Sequence, residues 1–233
     1  MTSTGNGMTL FTTDPALHVR SSRRYFICAV LGFAFYLACV IGGSMLQGAL
    51  DLGLEMGWGQ QILSAIAVLF LARFMKDWKS ILAWRWPEPF WLRWSISAGL
   101  AIAVAGLVVG LAIGEQPQRH GIEYFAYEAT MPGLAEELGF RGLLFGCLLA
   151  AFGSRPKSPF VVCLAAIAQA IPFAALHGLE ASGVRLLGLS CYTAFAGVVL
   201  AMVRLKTGSI LPAIVGHNIA NVTGGLIDLI LLL

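Results

Sequence analysis

Charge is scarce in this chain. Only 12% of its 233 residues are Asp, Glu, Lys or Arg, about half the share usual in soluble domains. With 58% hydrophobic residues and a mean hydropathy of +0.80, an ordinary soluble globular domain is excluded. The composition points to an all-α, polytopic helical bundle whose partner is the lipid bilayer. The five cysteines (Cys28, Cys39, Cys147, Cys163, Cys191) show no CxxC or other metal-ligand spacing. They lie in apolar runs and read as small buried hydrophobes rather than a disulfide set. No internal repeat, glycine-rich phosphate loop or nucleic-acid signature occurs, so no nucleic-acid partner is expected. The N-terminus, residues 1–24, is polar and weakly basic. The apolar run that follows from Tyr25 is too long for a signal-peptide core and is not closed by a small-residue cleavage site. It is expected to stay as the first span, preceded by a cytoplasmic tail.

Long apolar runs are what the chain does have. A membrane-spanning helix needs about 20 mostly apolar residues. Seven runs qualify: Tyr25–Leu46, Gly57–Phe74, Trp91–Gly114, Pro132–Phe152, Pro159–Leu176, Val184–Val203 and Ser209–Leu231. The second is the weakest. The fourth starts at Pro132, or else near Ile122 with Pro132 as a kink. About seven transmembrane helices in one integral membrane domain, residues 1–233, are therefore expected. With seven spans, twelve basic residues fall on one side: Arg20, Arg23, Arg24, Arg73, Lys76, Lys79, Arg85, Arg93, Arg155, Lys157, Arg204 and Lys206. The other side has only Arg119 and Arg185, beside Asp51, Glu55, Glu115, Glu123 and Glu180. Basic loops stay inside, so the N-terminus is expected in the cytoplasm of a bacterial or archaeal cell and the C-terminus outside. Trp78–Trp94 holds five of the six tryptophans. Such residues favour the membrane interface, and Pro87 and Pro89 interrupt any helix there. The 27 glycines suit close helix packing in lipid.

Within these runs a few strongly polar residues stand out. GLAEELGFRGLLFG (Gly133–Gly146) carries Glu136, Glu137 and Arg141. His177 ends the fifth run; His217, Asn218 and Asn221 lie on the seventh, and Gln169 on the fifth. Ionisable groups at membrane depth cost several kcal/mol, so each is a functional candidate. They could clamp helices, relay protons or ions, hold a metal, or catalyse. Residues four apart share a helix face, which pairs Glu137 with Arg141 and offsets much of their burial cost. Glu136 is rotated by about 100° and is left free for chemistry. His217 and Asn221 also share a face, and Phe173 lies one turn before His177. A carboxylate beside an imidazole can deprotonate water. A second imidazole and a carboxamide can stabilise an oxyanion. Apolar surroundings bring a carboxyl group towards the range useful for a base. Such a set hydrolyses a peptide bond without a serine or cysteine nucleophile.

EELGFRG (Glu136–Gly142) resembles the EExxxR motif of the CPBP family, the CAAX prenyl protease and bacteriocin-processing relatives also called Abi proteins or glutamic intramembrane proteases. FAALH (Phe173–His177) resembles the family's FxxxH motif, and HNIAN (His217–Asn221) its HxxxN/D motif, in the family's order. The resemblance covers about Pro132 to Asn221. It implies a catalytic core within residues 121–233 and a protein or peptide substrate at the membrane. It implies that Glu136, assisted by His177, activates water, and that His217 and Asn221 form the oxyanion hole. Glu137 and Arg141 would hold the site in shape, and Phe173 would pack beside His177 or line the substrate path. No metal or other cofactor is needed in that picture, although family members were at times treated as metalloproteases.

Other functions use the same residues differently. Glu136, His177 and His217 could ligate zinc in a metal-dependent hydrolase. The fold could serve a non-catalytic chaperone or immunity protein, or a transporter relaying protons through Glu136, against which the missing repeat symmetry weighs. The expected topology puts the polar set in the outer half or middle of the membrane. CAAX processing is cytosolic, so that placement favours trimming of an exported protein, a signal-peptide remnant or a C-terminal anchor.

Overall fold

The computed structural model describes residues 22–51, 53–152, 159–179 and 181–233. Arg20, Arg155, Lys157 and Glu180, used in the charge asymmetry, lie outside the described residues, as does most of the N-terminal tail. Every regular element among the described residues is helical. In order these are α1 (Ser22–Leu50), α2 (Trp58–Arg73), α3 (Trp78–Ile81), α4 (Trp91–Ile113), α5 (Ile122–Glu128) and α6 (Met131–Glu136). A π-helical segment (Glu137–Leu144) follows, then α7 (Phe145–Ala151), α8 (Pro159–Gly178), α9 (Gly183–Thr207) and α10 (Leu211–Leu231).

Five of these, α1, α4, α8, α9 and α10, are long and apolar enough to cross a membrane. About seven spans were expected, with the second the weakest, and two of the seven differ from full-length spans. Helix α2 has 16 residues, roughly 24 Å at 1.5 Å per residue, short of a hydrocarbon core about 30 Å thick. The expected fourth span is a rod made of α6, the π segment and α7. All eight π-segment residues are buried, so this rod meets protein rather than lipid and can carry charges that a lipid-facing helix could not. It starts at Met131: α5 is a separate helix, and Pro132 sits in the first turn of α6, where its missing N–H has no partner to lose.

The rod is the centre of the bundle, packed against α1, α2, α8 and α10, while α10 lies along α4 and α8 along α9. Large apolar side chains such as Ile41, Met45, Leu111, Ile171 and Ile230 point outward, and the largest fully buried side chain is that of Arg141. That is the distribution expected in lipid, where tails are as apolar as leucine and helices associate by close packing. The α1–α2 crossing shows how: a Cβ on Gly43 would lie 2.4 Å from the Gly59 carbonyl oxygen. The cysteines depart from expectation. Only Cys147 is buried, Cys163 and Cys191 are exposed on the helix exteriors, and all five are free thiols; a small, weakly polar side chain is tolerated by lipid as well as by a core.

Both ends of the bundle are tied by polar contacts. At one end the tryptophan-rich stretch reaches the α9–α10 junction. The Ile210 N–H donates to the Ala83 carbonyl, the Glu88 N–H to Thr207, and the Ser209 hydroxyl to Arg85 at 2.6 Å. Arg85 Nε donates to the Gly208 carbonyl, and buried Arg204 donates to the Ile81 carbonyl at 2.5 Å. Tyr25 at the start of α1 donates to Asp77. The basic loops after α2 and α9 therefore share an end with the start of α1. At the other end Arg185 pairs with Glu115 at 3.2 Å. There Glu123 of α5 accepts from the Met56 and Glu55 N–H groups and the Trp58 indole. These donors, Met56 foremost, hold Glu123 below the usual carboxylate range.

Candidate active site

Glu136 closes α6, and Glu137 opens the π segment. A π-helical turn widens the rod at the point where the two carboxylates part, and such turns cluster at functional sites. Gly139 makes the widened turn fit: a Cβ there would lie 2.5 Å from the ring of Tyr36.

Glu137 turns inward. Its side chain is wholly buried, and its Oε1 accepts from Arg141 Nη1 at 2.8 Å. The same oxygen lies 2.8 Å from His217 Nδ1. One carboxylate oxygen thus joins the π segment to α10. A carboxylate only accepts, so His217 Nδ1 carries a proton. Arg141 is also wholly buried and stacks on Phe173, its Cζ 4.1 Å from the ring centroid, a favourable cation–π geometry.

Glu136 turns the other way, into a cavity of about 380 Å³. Its Oε1 accepts from Gln61 Nε2 of α2 at 3.0 Å. Its Oε2 is buried and without a hydrogen-bond partner among the described residues. That oxygen faces His177 Nε2 at 3.8 Å and His217 Nε2 at 3.9 Å. His177 stands in the last turn of α8 with Pro172 one turn behind it. Its Nδ1 donates to the Phe173 carbonyl at 2.8 Å, which turns Nε2 towards Glu136. Phe173 packs against both imidazoles, with ring centroids 4.5 Å from His177 and 6.2 Å from His217.

Asn221 lines the same cavity, one turn beyond His217. Its carboxamide does not bond to Glu136; Nδ2 donates to Glu128 Oε2 at 2.6 Å. All seven residues singled out from the sequence are therefore gathered on one cavity or its supporting wall. The other polar candidates brace helices. Gln169 donates to the Gly197 carbonyl across α8 and α9, and Asn218 accepts the Gly133 N–H at 3.0 Å. Among the cavity residues not anticipated are Gln61 and Glu128. The only signal for Gln61 in the sequence is an amide inside an apolar run, and for Glu128 an ionisable residue eight positions before Glu136.

Gly133 has a steric consequence. A Cβ there would lie 2.0 Å from Asn218 Oδ1 and 2.7 Å from the Ile214 carbonyl oxygen. Gly133→Ala is expected to push α6 off α10 and separate Glu136 from His217. A misplacement near 1 Å can cost roughly a hundredfold in rate. Purified Gly133→Ala protein should run as a monodisperse species with that loss, and wild-type turnover would show that α6 and α10 need not touch here.

The fold and site define an integral membrane protein in which a buried carboxylate meets two imidazoles above a fully buried ion pair. Residues 118–223 match the family model described as Rce1-like, type II CAAX prenyl endopeptidase Rce1-like. The match takes in all three motifs and just under half of the chain. No curated protein and no solved structure matches the chain.

Proposed function

We propose that this protein is a glutamic-type intramembrane endopeptidase that cleaves a protein or peptide presented at the membrane. One observation carries the reading: the unpartnered Glu136 Oε2 confronts two imidazole Nε2 atoms at 3.8 and 3.9 Å on the wall of the cavity. An oxygen atom seated between that carboxylate oxygen and either ring nitrogen could lie about 2.8 Å from both, ordinary hydrogen-bond reach.

The two histidines suit different tasks. His177, its Nδ1–H committed to the Phe173 carbonyl and its Nε2 facing Glu136, is placed to share with Glu136 the proton of the attacking water. His217 is held by Glu137 through Nδ1–H. As an imidazolium its Nε2–H can donate to an oxyanion, together with an Asn221 amide hydrogen. Water adds to the scissile carbonyl carbon as its proton passes to Glu136. The tetrahedral intermediate then collapses, the C–N bond breaks, and the Glu136 proton goes to the departing amine.

The test is turnover of an internally quenched, farnesylated peptide ending in Cys-aliphatic-aliphatic-X by the purified protein, with Glu136→Gln as comparison. Comparison of protein termini in cells carrying wild type or Glu136→Gln would identify the native substrate. A metal-dependent reading would make Glu136, His177 and His217 ligands. Cleavage that persists in chelator supports the glutamic reading; cleavage abolished by chelator and restored by zinc supports the metal one.

The site spans the middle of the bundle, with Glu136 and His177 towards the end remote from the basic loops and His217 nearer to them. Glu136 bonds to the first turn of α2, whose last turn carries Arg73. His217 is about 9 Å along α10 from its start at Leu211 at 1.5 Å per residue. With basic loops inside, the site opens towards the outer leaflet, which suits trimming of an exported or anchored protein. A periplasmic-active phosphatase inserted between α8 and α9 should be active there. A cytosolic fluorescent reporter that lights up at the same position would reverse the orientation.

A further inference from the structure

Glu128 has no part in the chemistry above, yet it lines the same cavity. It is the last residue of α5, and its contact with Asn221 at 2.6 Å has the shortness of a charge-assisted hydrogen bond. The contact orients the amide. A carboxylate can only accept, so the nitrogen of Asn221, and not its oxygen, must face α5. That engages one Nδ2 hydrogen and leaves the second to donate elsewhere. The acceptor is itself braced, because Glu123 ties the other end of α5 to Met56 and Trp58 at 3.0 and 3.1 Å. Asn221, one turn from His217, would otherwise be free to turn about its terminal torsion, which is broad for amide side chains.

We propose that Glu128 is a positioning residue that holds the Asn221 carboxamide with one N–H aimed at the developing oxyanion. The inference rests on the endopeptidase reading. What matters is reach and an acceptor oxygen, not charge. Glu128→Gln keeps both and Glu128→Asp keeps the charge but loses reach, while Glu128→Ala loses everything.

The experiment measures kcat and KM of the three variants on the quenched farnesylated peptide. Gln should stay within about threefold of wild type, whereas Asp and Ala should lose roughly tenfold to a hundredfold in kcat with KM changed by less than about twofold. Full activity in Glu128→Ala would overturn the proposal. So would a Gln variant as impaired as Ala with a raised KM, which would mean that the carboxylate binds a cationic group of the substrate. Thermal melting of Glu128→Ala, Asn221→Ala and the double variant supplies a readout independent of turnover. Non-additive shifts support the contact, and additive shifts overturn it. A wild-type protein that cleaves neither this peptide nor, by comparison of termini in cells, any protein that Glu136→Gln leaves whole counts against the endopeptidase reading alone, and the melting cycle still decides whether Glu128 holds Asn221.

Discussion

Glu136→Gln is expected to abolish cleavage while leaving the bundle folded. Glutamine keeps the volume of the side chain, and its Oε1 can still accept from Gln61 as the carboxylate does at 3.0 Å. What it removes is the basic oxygen between His177 and His217. General-base catalysis contributes roughly a hundredfold to ten-thousandfold, and this residue would also carry the proton to the leaving amine. The expected kcat on the quenched peptide is therefore lower by about a thousandfold or more, with a melting temperature close to that of wild type. The fold has little reason to suffer, because Glu136 Oε2 makes no hydrogen bond among the described residues and a neutral amide is no harder to bury. A variant that turns over at the wild-type rate would remove Glu136 from the chemistry.

Glu137→Gln should behave in the opposite way, failing in stability before chemistry. Glu137 and Arg141 are both wholly shielded, and Arg141 Nε and Nη2 have no hydrogen-bond partner among the described residues. Besides Glu137, the guanidinium is supported mainly by the faces of Phe173 and Phe140. Neutralising the carboxylate leaves a buried cation without its counter-charge, an imbalance that costs roughly 3–5 kcal/mol. At about 2–4 °C per kcal/mol for a chain of this size, melting should fall by on the order of 10 °C. Removing both charges is far less costly than removing one, so Glu137→Leu combined with Arg141→Met should recover most of the melting temperature. Activity should not return with it, because His217 Nδ1 would have lost its acceptor. Melting curves and peptide turnover on the same preparations separate the two effects. A single variant as stable as wild type, or a double variant no better than the single, would show that the pair does not hold the rod in place.

These two outcomes follow from a division of labour that was partly legible in the chain itself. The i, i+4 spacing of Glu137 and Arg141 announced their contact, because neighbours on one helix need no tertiary information. The same held for Phe173 beside His177. Helical character was legible from the apolar runs, since a chain in lipid must satisfy its backbone within each segment. The number of full-length spans was not. Hydropathy cannot tell a helix wrapped by lipid from one wrapped by other helices, and the charged rod from Met131 to Ala151 belongs to the second kind.

Sequence alone determined which residue types were present at membrane depth and which were adjacent along a helix. Only the tertiary structure decided that Glu137 serves Arg141 and His217 through a single oxygen, that Gln61 holds Glu136, and that Asn221 faces Glu128. Those partners come from α2, α5 and α10, tens of residues away. Their meeting depends on where glycines let helices cross and on the widened π turn, quantities set by packing across the whole bundle rather than by any local spacing.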